Sequence, residues 1–191
     1  MEAVQLSIGI FGGSFDPPHL GHAQTIKWVL GKRLVQTIYL VPAFRHAFGK
    51  QSAPYDFRCR LARALADDVA PYSIAVDRSE EELGSGSNSP VYTYDLLRHL
   101  SKTHGEFAKF RLIVGSDILR EANAWYKWEE INREFGVIVV GREGYDDDGC
   151  DWVVPDYSST EIRRRIREGR PWKDMVTYSV ARMLPGPYLG G

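Results

Sequence analysis

The chain has 191 residues, 43% hydrophobic and 26% charged, which is ordinary for a globular protein and predicts one domain over residues 1–191. Its formal net charge of −1 lacks the basic excess of a nucleic-acid-binding protein, and no apolar run is long enough to cross a membrane. The N-terminus lacks a secretory pattern, and Cys59 and Cys150 lie far apart without metal-ligand spacing. We therefore expect a cytoplasmic protein with neither a nucleic-acid nor a membrane partner.

Apolar, strand-like segments alternate along the chain with segments of helical periodicity. The predicted strands cover residues 6–11, 37–41, 73–77, 110–114, 136–140 and 152–154. The predicted helices cover residues 23–32, 55–70, 92–104, 128–134, 159–168 and 173–183, and the last two form a C-terminal helical part at 158–191. Because strands buried on both faces are nearly all apolar, this alternation predicts an α/β, doubly wound, mainly parallel sheet with helices on both faces. The Gly- and Ser-rich stretch 83–90 is expected to be a flexible surface loop.

Polar or glycine-rich segments follow most of the predicted strands. They cover residues 12–16, 42–50, 115–117, 141–142 and 158–160. In doubly wound sheets ligands bind at the carboxyl ends of the strands, so these segments should meet in one place. The sequence therefore predicts one polar cleft that suits phosphate groups.

The segment after the first strand, residues 12–22, reads GGSFDPPHLGH. Glycines let the backbone approach a ligand closely, and the following helix start supplies free N–H groups and partial positive charge. His19 and His22 are three residues apart and would share one face of a helical turn. The segment contains neither the dinucleotide-binding glycine pattern nor the P-loop lysine. The alternative is a Gly-Pro turn with two unrelated histidines, but such a turn does not need this His-x-Gly-His arrangement.

The segment SSTEIR at residues 158–163 predicts a helix start, with Ser158 as N-cap and Glu161 completing a capping box. A well-capped surface helix would explain this pattern by itself. A helix N-terminus with hydroxyl side chains is also an anion site, and Arg163 adds a planar set of N–H donors. On these residues alone both interpretations stay open for Arg163.

Together these residues resemble a known group of enzymes, the HxGH nucleotidyltransferase superfamily. The 12–22 segment is similar to its GGxFxPxHxGH signature, and SSTEIR is similar to its SSTxIR motif. The segments VYTYDLL at 91–97 and AWYKW at 124–128 resemble those of nicotinate/nicotinamide mononucleotide adenylyltransferases. The resemblance implies a Rossmann-like nucleotidyltransferase fold. It also implies an enzyme of NAD biosynthesis that joins ATP to nicotinate or nicotinamide mononucleotide and releases pyrophosphate.

The resemblance assigns roles to particular residues. The implied catalytic residues are His19, His22, Lys50 and Arg163. The implied ATP-binding residues are Gly12, Gly13, Ser14, Phe15, Gly115, Asp117, Arg142, Ser159 and Thr160. The implied acceptor-binding residues are His46, Tyr92, Thr93, Trp125 and Tyr126, with Trp125 stacked on the pyridine ring. Mg²⁺ would bridge ATP oxygens and keep most of its waters, so no protein metal ligand is expected.

Two stretches depart from the pattern or invite another interpretation. Where bacterial members of the family carry Pro-Pro-His-Lys, this chain has FRHAFGK at 44–50, in which Lys50 would supply the cation and His46 or Arg45 a second one. The three aspartates at 146–148 suggest a metal, but nothing nearby in the sequence converges on them, and we expect a solvated turn.

The sequence leaves several alternatives open. Within the same superfamily the acceptor could instead be that of a pantetheine-phosphate or flavin mononucleotide adenylyltransferase or a cytidylyltransferase. A second class of protein would be a nucleotide-binding sensor without turnover. Nicotinate is preferred over nicotinamide only because the chain resembles bacterial enzymes. The oligomeric state stays open, with a homo-oligomer as one alternative.

Overall fold

A computed structural model describes residues 5–45, 52–87, 89–121, 124–145 and 152–189. Its central feature is a six-stranded sheet in which every neighbouring pair is parallel, in the order β3-β2-β1-β4-β5-β6. The strands are β1 (Leu6–Gly13), β2 (Thr37–Pro42), β3 (Ile74–Val76), β4 (Ala108–Gly115), β5 (Val137–Arg142) and β6 (Val153–Val154). The order reverses between β1 and β4, which is where ligands bind in sheets of this topology.

Seven helices lie on the two faces of the sheet within the described residues. They are α1 (Leu20–Gly31), α2 (Tyr55–Val69), α3 (Ser79–Gly84), α4 (Thr93–His104), α5 (Trp128–Glu134), α6 (Ser159–Arg167) and α7 (Tyr178–Met183). The buried side chains of α1, α2, α6 and α7 join one apolar cluster, and those of α3, α4 and α5 pack with a second. The prediction of a doubly wound α/β sheet with helices on both faces is confirmed.

Strand β1 shows why the sheet can be covered on both faces. Ile8 and Ile10 point into the cluster on the α4 side and are fully buried. Gly9 points to the other face, where a Cβ atom would lie 2.6 Å from Ile113 and 3.2 Å from Val35. Glycine therefore lets those two side chains close over the strand, and the burial is worth about 25 cal/mol per Å² of apolar surface.

The structure corrects two predicted elements. The stretch 83–90 is not wholly a loop, because its first two residues end helix α3, where Leu83 packs against the core and Gly84 faces the ring of Phe44. The single helix expected over 173–183 is divided into a 3₁₀ turn, Lys173–Met175, and α7. Val176 interrupts it because the residue is buried in an extended conformation, with φ −128° and ψ 165°.

The C-terminal part continues through a 3₁₀ turn, Gly186–Leu189. Its membership of a single domain with the sheet stays a prediction. Cys59 is buried and free, and Cys150 lies outside the described residues. Within the described ranges, no helix combines the length and the apolar character needed to cross a membrane.

Candidate active site

A cleft of about 490 Å³ lies at the carboxyl ends of the central strands. Its lining includes several residues that the sequence singled out, namely Gly12, Gly13, Ser14, His19, His22, Thr93, Gly115, Asp117, Trp125 and Arg142. Residues more than 120 positions apart in the chain thus meet at one edge of the sheet. The predicted segments do meet in one cleft with β1 and β4 as its floor, but the exposed lining of this cleft is mostly apolar and not polar as predicted.

His19 and His22 lie side by side at the start of α1, as its N-cap and as the third residue of the helix. Their ring centroids are 3.8 Å apart, and the backbone N–H of His19 donates to Nδ1 of His22 over 3.1 Å. A Cβ atom at Gly21 would lie 3.0 Å from Cε1 and Nδ1 of the His19 ring. The glycine between the histidines therefore leaves room for the first ring.

Both histidine rings are uncharged near neutral pH, because their pKa values lie well below 6.5. Burial lowers the pKa of His22 to about 3, assisted by the positive charge of Arg142. Burial, followed by the neighbouring His22 and Arg142, also lowers the pKa of His19 well below its ordinary value. Because Nδ1 of His22 accepts a hydrogen bond, its proton sits on Nε2, where it can donate to a ligand oxygen.

A second pocket of about 240 Å³ adjoins the cleft and shares Ser14, both histidines and Arg142 with it. It extends to the start of α6, where Ser159, Thr160 and Arg163 face Phe15 and Asp16. Unlike the main cleft, its exposed lining is mostly polar. A helix N-terminus, two histidines and two arginines at one pocket form a set of donors suited to a polyphosphate.

Ser158 caps α6 as predicted, its hydroxyl accepting the backbone N–H of Glu161 at 3.4 Å. The reciprocal bond of the expected capping box does not form, because the Glu161 carboxylate pairs with Arg164 and Arg165 at 2.8 Å each. The Ser159 hydroxyl donates to the carbonyl of Pro17 over 2.9 Å. Ser159 thus ties α6 to the histidine segment.

Phe15 differs from the other predicted ATP-binding residues because its ring belongs to the apolar core. The side chain is fully buried, with its centroid 5.0 Å from that of His22. Its backbone has a φ of +48°, which turns the chain between the glycines and the histidines. Phe15 therefore supports the His22 ring from beneath.

Asp117 and Arg142 form an ion pair at the mouth of the cleft. Nη1 of Arg142 lies 2.7 Å from Asp117 and Nη2 lies 2.9 Å from Asp156. The Arg142 backbone N–H also donates to the Ser116 hydroxyl over 2.9 Å. These bonds hold the ends of β4, β5 and β6 in register around the cleft.

On the other side of the cleft the predicted acceptor residues are only partly brought together. Thr93, at the start of α4, and Trp125 line the cleft, with Trp125 packed edge-on against Trp128 at 5.8 Å between ring centroids. Tyr92 and Tyr126 do not line it; they are about half exposed and contact each other at 4.8 Å between ring centroids. His46 and Lys50 lie outside the described residues, as do the aspartates at 146–148.

Two site residues were missed by sequence reasoning. Arg58 on α2 is buried and donates to the carbonyls of Ser14, Ala43 and Ala53 at 2.8, 2.8 and 3.0 Å. Glu80 on α3 lines the cleft and accepts the backbone N–H of Phe44 at 2.8 Å. Burial raises the pKa of Glu80 to about 7. Both residues fix loops that follow strands, and no local motif marks either one.

Comparison with known proteins agrees with this geometry. Residues 10–165 match the cytidylyltransferase-like family model. A relative from Anaeromyxobacter dehalogenans, named "Probable nicotinate-nucleotide adenylyltransferase", is 38% identical over 95% of both chains. A relative of the same name from Chlorobaculum parvum is 34% identical over 90% of this chain and 92% of its own. The Plasmodium falciparum nicotinic acid mononucleotide adenylyltransferase complexed with NaAD superposes with a TM-score of 0.79 at 18% identity, over 96% of this chain and 98% of that one.

The fold and the donor-lined cleft define a nucleotidyltransferase of the cytidylyltransferase-like class. Within that class, the chain belongs to the nicotinate-nucleotide adenylyltransferase family, whose enzymes act in NAD biosynthesis. The resemblance drawn from residues 12–22 and 158–163 is therefore confirmed.

Proposed function

We propose that this chain joins ATP and nicotinate mononucleotide to give deamido-NAD and pyrophosphate. The observation that carries the proposal is the junction of two subsites at the histidine pair. One subsite is a polar pocket below α6, and the other is an aromatic and apolar cleft containing Trp125. A triphosphate suits the first and a flat pyridine ring suits the second.

ATP would lie across β1 and β4. Its adenosine would face Gly115 and Asp117, where the absence of a side chain on the glycine makes room for the Asp117 carboxylate itself. Its β- and γ-phosphates would reach Thr160, Arg163 and the N–H groups at the start of α6. A Cβ atom at Gly12 would meet none of the described residues within 4 Å, so this open stretch of backbone would let the α-phosphate approach.

The reaction needs positioning and charge stabilisation more than acid-base chemistry. The acceptor phosphate is already ionised near neutral pH, so its oxygen can attack the α-phosphorus while pyrophosphate departs on the opposite side. Charge then shifts onto the bridging oxygen and the leaving group. His22 donates from Nε2 to the oxygens on which this charge develops, and His19 lies beside it. Both rings are neutral, and neither has to transfer a proton before the attack.

A divalent cation, Mg²⁺, would accompany the nucleotide. Among the described residues no cluster of three or more His, Cys, Asp or Glu side chains comes together. The triphosphate pocket instead presents N–H donors, and the buried carboxylate of Asp16 already accepts hydrogen bonds from Ala53 and Tyr188. These residues fit a cation held by ATP oxygens and water, which would offset phosphate charge.

The acceptor side favours a pyridine mononucleotide. Trp125, whose indole has a flat aromatic face, and Thr93, the first residue of α4, both line the cleft. A cationic pyridinium ring binds such a face by stacking and by cation–π attraction. Lys50 and His46 would meet the acceptor phosphate, and Tyr92 and Tyr126 would shape the rim.

A cytoplasmic location, the lack of nucleic-acid and membrane partners, and homo-oligomer formation stay predictions.

The proposal is tested by incubating the protein with ATP, Mg²⁺ and nicotinate mononucleotide and analysing products by mass spectrometry. Deamido-NAD and pyrophosphate should appear in equal amounts. Binding of ATP without either product would instead support a nucleotide sensor that keeps the site without turnover.

A further inference from the structure

The C-terminal turn Gly186–Leu189 brings a tyrosine close to the phosphate pocket, which is the second pocket described above, at the start of α6. Tyr188 is 8% exposed, and its ring packs edge-on against Phe57 of α2 with centroids 6.3 Å apart. Gly186 has a φ of +43°, and a Cβ atom there would lie 3.1 Å from the Phe57 ring. The turn is therefore fixed against α2 with little freedom to shift the Tyr188 ring.

The Tyr188 hydroxyl donates to Oδ1 of Asp16 over 2.7 Å, joining residues that are 172 positions apart. Asp16 is 3% exposed. Burial and the adjacent Asp16 carboxylate raise the pKa of Tyr188 above its ordinary value, so the phenol stays protonated and remains a donor at neutral pH. This bond connects the end of the chain to the glycine and histidine segment.

Asp16 divides its two oxygens between the protein interior and the phosphate pocket. Oδ1 also accepts the backbone N–H of Ala53 at 3.2 Å. Oδ2 lies 3.4 Å from Nη1 of Arg163, and the same guanidinium donates to the Asp16 carbonyl. Nη2 of Arg163 donates to the Thr160 hydroxyl at 3.2 Å. The guanidinium is therefore aimed by contacts on both sides.

We propose that Tyr188 is a positioning residue for polyphosphate binding, acting through Asp16 on Arg163. The inference rests on the proposed function and names a determinant of its nucleotide affinity. The Tyr188 hydroxyl and the Ala53 N–H hold Oδ1 of Asp16 away from the pocket. Only Oδ2 then faces Arg163, at 3.4 Å, and the remaining N–H groups of the guanidinium are left for phosphate oxygens. Without the hydroxyl, the buried carboxylate lacks one donor and draws the guanidinium toward itself.

The test measures the affinities of two probes by calorimetry. One is a methylene analogue of ATP, and the other is AMP, which lacks the β- and γ-phosphates. Tyr188→Phe should weaken binding of the ATP analogue about fivefold, the effect of one lost hydrogen bond. Binding of AMP should change less than about twofold, since AMP does not reach Arg163. The matched control is Tyr178→Phe, which removes an exposed hydroxyl from the same C-terminal part and should change neither affinity.

A merely structural role would weaken both probes alike, and that outcome, or no loss for either, overturns the proposal. In an Arg163→Ala background, Tyr188→Phe should cause no further selective loss of affinity for the ATP analogue, because the guanidinium through which Tyr188 acts is absent. A loss that persists in this background also overturns it. Should Tyr188→Phe fail to fold, Asp16→Asn tests the same chain of contacts, and it should weaken binding of the ATP analogue more than binding of AMP. If the two affinities change by the same factor from their wild-type values, the proposal is refuted.

Failure of the proposed function would be seen separately. A wild-type protein that binds the ATP analogue but forms no product from ATP and nicotinate mononucleotide contradicts the reaction. A phosphate-selective loss in Tyr188→Phe would still support the inference in that case.

Discussion

The backbone N–H of His19 donates to Nδ1 of His22, and the two rings lie 3.8 Å apart between centroids. This bond sets the tautomer of His22, and burial keeps both rings uncharged. His22 thus presents a fixed N–H donor, with the neutral His19 ring beside it, where the cleft meets the pocket at the start of α6. Donors fixed before the reaction stabilise developing charge without reorganisation.

Replacement of His22 tests that role most simply. His22→Ala should lower kcat by about two orders of magnitude or more, as expected for loss of one preorganised donor. Steady-state pyrophosphate release measures the change. His99→Ala, on α4 outside the cleft and near Glu82, is the matched control and should keep the wild-type rate. A folded His22→Ala protein with near-normal turnover would remove His22 from the mechanism.

The glycine between the histidines offers a steric test. Gly21→Ala places a methyl group 3.0 Å from the His19 ring, which must move to accept it. Because the ring must yield by a few tenths of an ångström, and displacement of catalytic groups by about 1 Å can cost on the order of a hundredfold, kcat should fall by up to about tenfold. Gly31→Ala, on the same helix and clear of the other described residues, should leave kcat unchanged and stabilise the fold by up to about 1 kcal/mol. Equal activities of the two variants would contradict the crowding argument.

The neutral histidines also predict a pH dependence of stability. The folded-state pKa of His22, about 3, is below its ordinary value of 6.5, so the unfolded chain binds more protons between these values. The stabilisation is complete above about pH 6.5 and is lost as the pH falls toward 3. Urea unfolding at a series of pH values from neutral to acidic should therefore show a shallower decline for His22→Gln than for the wild type. Parallel curves would show that His22 is not held neutral by the fold.

Replacement of Arg58 tests how much its hydrogen bonds to the loops near the site contribute to the stability of the fold. Arg58→Met removes the donor to three carbonyls, and the free energy of unfolding should fall by about 3 kcal/mol because buried acceptors are left unpaired. Urea unfolding measures the loss. Arg63→Met, which replaces an exposed arginine of the same helix, should change stability by less than about 0.5 kcal/mol. A similar small change for Arg58→Met would show that water or other groups satisfy the carbonyls.

Local patterns in the sequence predicted the sheet, the edge at which ligands bind and the histidine pair. Apolar runs identified the strands because parallel strands are buried on both faces, and glycines with histidines marked the turn after β1. The same local reasoning failed at α3 and at Val176. There, contacts between distant parts of the chain decide the conformation, as when Gly84 packs against Phe44.

Residues that support the site were harder to predict than residues that line it. Arg58 contacts Ser14 from 44 positions away, and Tyr188 contacts Asp16 from 172 positions away. Their roles depend on burial and on carbonyl or carboxylate partners that only the folded chain brings near. By contrast, Arg163 was predicted because it stands in a local motif, the capped helix start at 158–163, which resembles the family's SSTxIR segment.

The measurement that tests the central proposal most directly is kcat/KM for pyrophosphate release from ATP and Mg²⁺ with different acceptors. Nicotinate mononucleotide, nicotinamide mononucleotide and phosphopantetheine would be compared in separate reactions. The proposal predicts release with a pyridine mononucleotide, with the nicotinate form preferred at least about tenfold, the effect of one or two recognition contacts on a single substituent. Preference for nicotinamide would overturn the acceptor assignment, and release with phosphopantetheine alone would contradict the pyridine site built around Trp125.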